Sequence, residues 1–305
     1  MSLIICTRDR AAQLKECLEE IAAAAPPPCA MEVIVVDNGS TDATPAVIED
    51  FAATAVMKVT RVECDRPGLG RARNAGMAAA TGEWLLFTDD DCYVEHDFFR
   101  NFFEFATAAA AADNGAQDIR YGAGPVVLYD ADHDPRIANI AIEALKFIPM
   151  KTLLPAGAIQ GANMFFHRSV FAQTGPFNDR MGSGTPFACE DIEMATRASV
   201  AGFTGALVPF STVTHRHRRM RGSAEANATV ESYDYGRGAY YASLLERGIP
   251  DAWKLWQACS DMRRISDPKL RMRLMRELEG AASYFKAAEA PRAAPMERES
   301  RLSVG

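Results

Sequence analysis

The fold is decided most clearly by one stretch of the sequence, Trp84-Leu85-Leu86-Phe87-Thr88-Asp89-Asp90-Asp91. Its first four residues are large and apolar, which is typical of a strand that is buried on both faces in the centre of a parallel sheet. The three aspartates stand at the carboxyl end of that strand, which is where open α/β sheets bind their ligands. The stretch therefore predicts a buried central strand followed directly by a ligand site.

Upstream of this stretch, short apolar runs alternate with helical patterns. The sequence predicts strands at 3–6, 32–36, 56–62 and 84–87, and helices at about 10–24, 42–53, 68–80 and 96–112. This βαβ repetition predicts a mostly parallel sheet with helices on both faces. Ser40 or Thr41 is predicted to cap the second helix, and Gly82 is predicted to be the C′ glycine of the third.

Downstream, the alternation breaks into α+β material that we expect to extend the same sheet. The pattern predicts strands at 122–129, 163–166 and 205–210 and a helix at about 190–201, followed by helices after residue 223. From about 289 the chain is charged and rich in Pro and Ala, and we expect a mobile tail. The predicted units are a main domain at 1–222, with halves 1–118 and 119–222, a helical extension at 223–288 and the tail at 289–305.

Bulk properties narrow the class of protein. The 305 residues are 48% hydrophobic and 24% charged, which is ordinary globular composition. The net charge of -7 argues against a general nucleic-acid-binding protein. Seven scattered cysteines without a C-x-x-C pair indicate reduced thiols, and no run approaches the roughly 20 apolar residues that span a bilayer. We therefore expect a soluble cytoplasmic protein, with association at the inner face of a membrane left open.

The acidic triplet needs an electrostatic explanation. Three adjacent carboxylates repel one another unless a cation lies among them, and hard oxygen ligands of this kind suit Mg²⁺ or Mn²⁺. The alternative is an exposed acidic turn at the start of a helix. Asp37 ends the second predicted strand in the same way. It could accept a hydrogen bond from a ribose hydroxyl or a base, or it could only close a turn.

A glycine-rich segment, Gly68-Leu69-Gly70-Arg71-Ala72-Arg73-Asn74-Ala75-Gly76, precedes the third predicted helix. Its spacing differs from the G-x-G-x-x-G dinucleotide fingerprint, and it follows the third strand and not the first. Arg71 and Arg73 near a helix N-terminus could face a diphosphate, or they could lie on a solvent-facing helix entry.

Taken together, Thr7-Arg8, Asp37-Asn38-Gly39-Ser40, the Arg73-Asn74-Ala75-Gly76 segment and the acidic triplet resemble the family 2 glycosyltransferases of GT-A fold, over about residues 2–215. The resemblance implies an α/β GT-A fold with a mixed, mostly parallel sheet. It also implies inverting transfer of a sugar from a nucleotide-diphosphate donor, with a UDP-sugar favoured, to a hydroxyl of a carbohydrate or lipid-linked acceptor. Polysaccharide or glycolipid synthesis is the implied setting.

The same resemblance assigns roles in the first half. It places Thr7, Arg8 and Asp37 at the donor nucleotide, and it makes Asp91 the more direct ligand of Mn²⁺ or Mg²⁺. Asp89 would face the ribose or a metal-bound water. Because three acids follow one another, the register is open and Asp90 stays a candidate.

In the second half, Gly161-Ala162-Asn163 is similar to the acceptor-side segment of the family, although an ordinary core strand would have the same residues. Glu190-Asp191 resembles the family's E-D motif, in which the second acid is usually the general base. Asp191 is therefore the predicted base, and an exchange of roles with Glu190 stays open. His215, favoured over His217, would be a metal ligand, and the arginines beside it would face a diphosphate or form a solvated loop.

Three other functions remain open at this point. A sugar-phosphate nucleotidyltransferase is disfavoured because Thr7-Arg8-Asp9-Arg10 contains no glycine loop. A non-catalytic nucleotide-sugar-binding module would need no Glu190-Asp191 pair, and glycoside hydrolysis by paired carboxylates is weaker still. The stretch with Trp253 and Trp256 could rest on a membrane surface or pack on the main domain, and packing is favoured.

Overall fold

The computed structural model describes residues 1–111, 118–259 and 265–289. The first half alternates strands and helices, in the order β1 (Ser2–Thr7), α1 (Ala11–Ala23), β2 (Glu32–Asp37), α2 (Thr44–Thr54), β3 (Lys58–Glu63), α3 (Leu69–Ala79), β4 (Trp84–Asp89), β5 (Cys92–Val94) and α4 (Phe98–Ala111). The second half contains β6 (Ile119–Ala123), β7 (Val126–Leu128), β8 (Lys146–Ile148), β9 (Asn163–His167), α5 (Arg168–Thr174), α6 (Glu190–Val200), β10 (Thr204–Leu207), β11 (Val213–His215), α7 (Ala224–Glu246), a 3₁₀ helix (Pro250–Cys259) and α8 (Pro268–Glu289).

The main sheet has the strand order β3-β2-β1-β4-β9-β6-β10-β8. The first four strands are parallel, β9 runs antiparallel between β4 and β6, β6 and β10 are parallel, and β8 is antiparallel at the edge. The predicted mixed, mostly parallel sheet is confirmed, and so is its extension by strands from the second half. A small second sheet, β5-β11-β7, lies beside it.

Alternating side chains of the central strands build two apolar layers. Leu3 and Ile5 of β1 face one layer together with α1, α2 and α4. Ile4 of the same strand faces the other layer, which includes α3, α5, α6, α7 and α8. Burial on both faces is what the continuous apolar strands predicted.

The predicted strand at 122–129 is wrong in one respect, because the structure divides it into β6 and β7. The break falls at Gly124-Pro125, where Pro125 has no N–H to donate to a ladder. Gly124 instead donates its N–H to the carbonyl of Asn163, at 3.2 Å. The chain thereby leaves the main sheet and enters the small one.

The predicted helix caps are also wrong. Helix α2 begins after Ala43, and neither Ser40 nor Thr41 caps it; the side chain of Asp42 accepts from the N–H of Thr44 at 2.9 Å. Helix α3 ends at Ala79, so Gly82 lies beyond the C′ position. A Cβ on Gly82 would come within 2.7 Å of the Met1 and Ser2 backbone. Close approach of two chain segments, and not a left-handed cap, explains this glycine.

Helices α7 and α8 pack in backbone contact. A Cβ built on Gly238 would lie 1.8 Å from the Glu277 carbonyl oxygen, and one on Gly280 would lie 1.9 Å from that of Tyr235. A third glycine, Gly236, packs on Ala188, with 2.7 Å from a built Cβ to the Ala188 Cβ. The glycines therefore let α7 lie directly against both α8 and the loop before α6.

The predicted division into 1–222, 223–288 and 289–305 stays a prediction. Ala239 and Tyr240 of α7 and Tyr284 of α8 belong to the same apolar layer as β1 and β4. Of the predicted mobile tail, residues 290–305 lie outside the described residues. Within the described part of the chain, no helix combines the length and the apolar character needed to cross a membrane.

Glu32, at the start of β2, is a buried carboxylate that joins three chain segments. It accepts hydrogen bonds from the Ser2 hydroxyl, the Thr81 N–H and the Thr81 hydroxyl, at 2.7, 2.6 and 2.7 Å, and pairs with Lys58 at 3.1 Å. Burial alone would raise its pKa, but these hydrogen bonds outweigh burial and lower the pKa of Glu32 from 4.5 to about 2. The charged form is therefore favoured by folding.

Because the pKa of Glu32 is lower in the folded state, its contribution to stability is present above about pH 4.5 and is lost as the pH falls toward 2. We expect Glu32→Gln to reduce the free energy of unfolding at pH 7 by about 1–3 kcal/mol and by much less at pH 3. Urea denaturation followed by circular dichroism measures both values, with the exposed Glu104→Gln as control. Equal losses at the two pH values would contradict this role.

Candidate active site

The acidic triplet lies where the main sheet meets the small sheet. Asp89 is the last residue of β4, and β5 begins three residues later at Cys92. Strand β5 pairs antiparallel with β11, and Cys92 is opposite His215 in that register. The N–H of Arg216 donates to the Asp91 carbonyl at 2.9 Å. Two three-residue strands thus bring His215, which is distant from Asp91 in sequence, to the end of β4.

Asp89, Asp91, Cys92 and His215 form a group whose potential ligand atoms all lie within 4.8 Å of one another. His215 Nε2 lies 3.0 Å from Asp91 Oδ1, and His215 Nδ1 is buried without a hydrogen-bond partner. Two carboxylates and an imidazole fit a divalent ion such as Mn²⁺. Thiolates suit softer metals, so the buried Cys92 thiol is a poor ligand for Mn²⁺ or Mg²⁺. Asp89, Asp91 and His215 are therefore the residues that would hold the ion.

Charges within this group are strongly coupled. Burial favours the neutral form of Asp91, but the hydrogen bond and charge of His215, together with Arg10, outweigh burial and hold the pKa of Asp91 below its ordinary value. Burial likewise lowers the pKa of His215, yet Asp91 raises it above its ordinary value. Burial raises the pKa of Asp89 despite the nearby Arg73. Positive charge at this point is needed to keep the carboxylates ionised together.

Asp90 faces away from the metal-ligand group. Its Oδ2 accepts from the Thr7 hydroxyl at 2.7 Å, and its Oδ1 lies 3.1 Å from Arg10 Nε. Arg10 also donates to Asp91, so one guanidinium joins two acids of the triplet. Burial raises the pKa of Asp90 to about 7, against the attraction of Arg10. The structure thus separates the triplet into Asp89 and Asp91 on one side and Asp90 on the other.

Arg73, on α3, is almost completely buried between two acids. Its Nη1 pairs with Glu190 Oε1, and its Nη2 lies 3.7 Å from Asp89 Oδ1. Gly161 makes room for this guanidinium, since a Cβ there would lie 2.3 Å from Arg73 Nη2. Burial raises the pKa of Glu190, and the Arg73 charge only partly offsets this. One oxygen of Glu190 is therefore committed to an ion pair inside the protein.

Asp191, the next residue, has a different environment in the first turn of α6. Its Oδ2 accepts from the N–H of Gly161 at 2.7 Å, and its Oδ1 accepts from the N–H of Ile192 at 2.7 Å. No arginine pairs with it among the ion pairs of the described residues. The preceding residue, Cys189, has a left-handed backbone with φ of 77°, which is uncommon for a residue other than glycine. The strained turn sets the direction in which α6 begins.

Two cavities adjoin at these residues. The first, of about 440 Å³, is lined by Thr7, Arg8, Arg10, the acidic triplet and the loop 182–186. The second, of about 370 Å³, is lined by Arg73, Gly161, Ala162, Glu190 and Asp191. Asp89, Ala188, His215 and Tyr233 line both. The metal-ligand group therefore lies at the boundary between a triplet side and an Asp191 side.

Three predicted site residues do not line either cavity. Asp37 is buried, with its carboxylate accepting from the Ser40 N–H at 2.9 Å and pairing with Arg61 at 3.1 Å. Arg71 donates to the Pro67 carbonyl at 2.9 Å. Asn163 donates to the carbonyls of Pro125 and Ser211, both at 2.8 Å, and so ties β9 to two loops. In the structure, Asp37 therefore closes a turn after β2 and Asn163 lies in a core strand. These positions match the alternatives that the sequence analysis gave for the two residues.

His217, the alternative to His215, lies outside the metal-ligand group. Its Nδ1 accepts from the N–H of Arg219 at 3.1 Å, and its ring is 4.8 Å from that of His133. Among the neighbouring arginines, Arg219 lines the first cavity, whereas Arg216 and Arg218 pair with Glu16.

The sequence did not single out Arg10 or Tyr233, nor the individual residues of the loop 182–186, all of which line the first cavity. Arg10 follows β1 by three residues, so its position after a central strand was a usable signal. Tyr233 comes from α7, and no local pattern in the sequence singles out this side chain. The loop 182–186 contains Gly182 and Gly184, both with positive φ, and it packs on the start of α3 through the Leu69 N–H, which donates to the Ser183 carbonyl at 2.8 Å.

The family model described as "Glycosyl transferase family 2" matches residues 2–174 of this chain. Among curated relatives, glycosyltransferase AglE of Haloferax volcanii is 24% identical over 205 residues, which is 67% of this chain and 62% of AglE. The poly(ribitol-phosphate) beta-N-acetylglucosaminyltransferase TarS of Staphylococcus aureus is 31% identical over 118 residues, 39% of this chain and 20% of TarS. The matched segments thus span a fifth to about three fifths of these relatives.

Solved structures give the same fold. A TarS fragment from S. aureus in complex with UDP-GlcNAc has a TM-score of 0.58 at 16% identity, covering 93% of this chain and 80% of the fragment. The mannosyltransferase PcManGT from Pyrobaculum calidifontis, in complex with GDP-Man and Mn²⁺, has a TM-score of 0.55 at 21% identity, covering 96% of this chain and 76% of the other. At these identities the likeness shows a GT-A glycosyltransferase fold.

The metal-ligand group makes a prediction about metal binding. We expect Asp91→Asn to weaken Mn²⁺ binding at least about tenfold, because a charged oxygen ligand is replaced by a neutral amide. Isothermal titration of the protein with Mn²⁺ measures this, and the exposed Asp179→Asn is the matched control. A circular dichroism spectrum establishes that the variant is folded. Undiminished Mn²⁺ binding by folded Asp91→Asn and His215→Ala proteins would rule this group out as the metal site.

Proposed function

This chain belongs to glycosyl transferase family 2, and from that premise we propose that it is a metal-dependent inverting enzyme that moves a sugar from a nucleotide-diphosphate donor to a hydroxyl acceptor. That it is a glycosyltransferase follows from the family. The finer proposal is supported above all by one observation: the metal-ligand residues Asp89 and His215 line both of two adjoining cavities. A donor and an acceptor can meet at such a boundary.

The first cavity suits a nucleoside diphosphate. Thr7, Arg8 and Asn38 lie on its wall at the carboxyl ends of β1 and β2, where nucleotides bind in open α/β sheets. UDP is the favoured nucleotide, because TarS, one of the similar proteins, has been solved with UDP-GlcNAc. The complex of PcManGT with GDP-Man keeps GDP as the second choice. A bound divalent ion would stabilise negative charge on the leaving diphosphate.

The second cavity suits the acceptor. Asp191 is proposed as the general base that takes the proton of the acceptor hydroxyl as its oxygen attacks the anomeric carbon. The N–H groups of Gly161 and Ile192 hold the carboxylate in place while leaving further lone pairs for the acceptor. Glu190 is the weaker candidate because Arg73 engages it. Arg73 itself supplies fixed positive charge beside Asp89, close to where the diphosphate leaves.

Polysaccharide or glycolipid synthesis is the proposed setting, with a carbohydrate or lipid-linked acceptor. Relatives support it by name: a succinoglycan biosynthesis protein, ExoO of Rhizobium meliloti, is 45% identical over 82 residues, 27% of this chain and 23% of that protein. A lipid-linked acceptor would place the enzyme at the inner face of a membrane as a peripheral protein. A nucleotidyltransferase is disfavoured by the family and a binding module by the presence of Asp191 in the second cavity.

The donor site predicts nucleotide- and metal-dependent stabilisation. A nucleoside diphosphate present at about 100 times its dissociation constant should add roughly 2.7 kcal/mol to the free energy of unfolding. We expect UDP to raise the midpoint of thermal unfolding by several degrees with Mn²⁺ present, and Asp91→Ala to abolish the increase. A panel of UDP, GDP, dTDP, CDP and ADP, each with and without Mn²⁺, identifies the base. No shift with any nucleotide would remove the proposed donor site.

The two adjacent acids predict different mutant behaviour. Asp191→Asn should lower the rate of sugar transfer by about 10²- to 10⁴-fold and leave stabilisation by the donor nucleotide unchanged. Glu190→Gln should mainly lower the thermal unfolding midpoint, because it removes the charge that pairs with buried Arg73. Transfer rates with donor and acceptor, measured beside unfolding midpoints, separate the two. If Glu190→Gln has the larger effect on transfer, the base is Glu190.

A further inference from the structure

Helix α8 has two apolar faces, and only one of them has a partner in the described structure. The inner face, which includes Leu274, Ala281 and Tyr284, is buried against α7. Gly280 and Gly238 bring the two backbones into contact, so this face has no room for another element. The outer face of α8 is therefore the one that is free to contact another surface.

The outer face carries a stripe of exposed apolar side chains. Met272, Met275, Leu278 and Phe285 are 55%, 47%, 42% and 39% exposed. Their spacing of three, three and seven residues places them on one side of a helix, together with exposed Ala282. From Met272 to Phe285 the stripe is about 20 Å long at 1.5 Å per residue. We call these five residues the α8 stripe.

Exposed charges around the α8 stripe are mainly positive. Lys269, Arg271 and Lys286 are exposed beside it, and the exposed acids are Glu279, between Met272 and Phe285, and Asp267, directly before α8. Arg273 is also exposed but pairs with buried Glu277 at 3.2 Å. The whole chain has a net charge of -7, so a surface that combines apolar and basic groups stands out against it. An apolar face flanked by Lys and Arg is what interfacial helices present to anionic lipid.

We propose that the α8 stripe lies on the surface of an anionic lipid bilayer and holds the enzyme there. The apolar side chains enter the boundary between headgroups and acyl chains, while Lys269, Arg271 and Lys286 contact lipid phosphates. The biological role of this membrane contact rests on the proposed function, since transfer to a lipid-linked acceptor requires the enzyme at a bilayer. The exposed apolar side chains of the α8 stripe and the basic side chains beside it take no part in catalysis.

A second copy of the chain fits the α8 stripe less well. An antiparallel pair of α8 helices that places Met272 against Phe285 of the copy also places Arg271 beside Lys286 of the copy. Like charges in such a position oppose association. The bilayer supplies the opposite charge, which a second copy does not.

Trp253 and Trp256 have different environments, although both were considered for packing on the main domain or for resting on a membrane. Trp256 packs edge-to-face on Tyr241, with ring centroids 5.3 Å apart, whereas Trp253 is 52% exposed. A separate exposed patch at Leu145, Phe147 and Met150 lies on and beside the edge strand β8. That patch offers a matched control, because its apolar side chains are similarly exposed on a different element.

The experiment is co-sedimentation of the full chain with phosphatidylcholine vesicles, with and without phosphatidylglycerol. We expect binding only to vesicles with phosphatidylglycerol, and weaker binding at high salt. Met275→Ser/Phe285→Ser and Lys269→Glu/Arg271→Glu/Lys286→Glu should each lower the bound fraction at least about tenfold. Leu145→Ser/Phe147→Ser should bind like the unaltered protein.

Several outcomes would overturn the proposal. They are no binding by the unaltered protein, loss of binding only in Leu145→Ser/Phe147→Ser, and a dimer that Met275→Ser/Phe285→Ser dissociates without any vesicle binding. Donor hydrolysis without vesicles is measured in parallel, and we expect every variant to match the unaltered protein. Vesicle binding without donor hydrolysis would contradict the proposed function alone. Donor hydrolysis without vesicle binding would contradict only the proposal that the α8 stripe binds a bilayer.

Discussion

The structure depends on balancing the charge of several carboxyl groups that are buried together at the end of a strand. Burial acts against ionisation of Asp89, Asp90 and Asp91, and each acid also repels the others. Arg10, Arg73 and His215 supply the opposing charge from β1's following loop, from α3 and from β11. Because the fold brings these three elements to one point, their positive charge lowers the free-energy cost of burying the triplet.

The order of strands in the main sheet explains where substrates can bind. Four parallel strands end at β4, and the next strand, β9, runs the opposite way. The chain direction therefore changes at the strand that carries Asp89. On one side lie β1 and its loop with Thr7 and Arg10; on the other lie Gly161, which precedes β9, and the start of α6. The two cavities contain residues from the two sides of this reversal, and Asp89, at the end of β4, lines both.

Much of this could be predicted from the sequence because the informative residues follow long apolar strands. The parallel half, the position of Asp89 and Asp91, and Glu190-Asp191 at a helix start all have such local signals. The small sheet could not be predicted, since β5 and β11 have three residues each and show no periodicity. Long-range contacts also fix the positions of the Asp37 and Asn163 side chains. Asp37 pairs with Arg61, and Asn163 donates to the carbonyls of Pro125 and Ser211. Spacing in the sequence does not reveal these partners.

The contact between Gly236 and Ala188 has a mechanical consequence. Only the methyl group of Ala188 separates α7 at Gly236 from the loop that forms a wall of both cavities, and α7 in turn contacts the backbone of α8 at Gly238 and Gly280. Because closely packed groups cannot move independently, a displacement of α8 would shift α7 and, through Ala188, a wall of both cavities. The shape of the substrate pocket therefore depends on three glycines of the C-terminal helices.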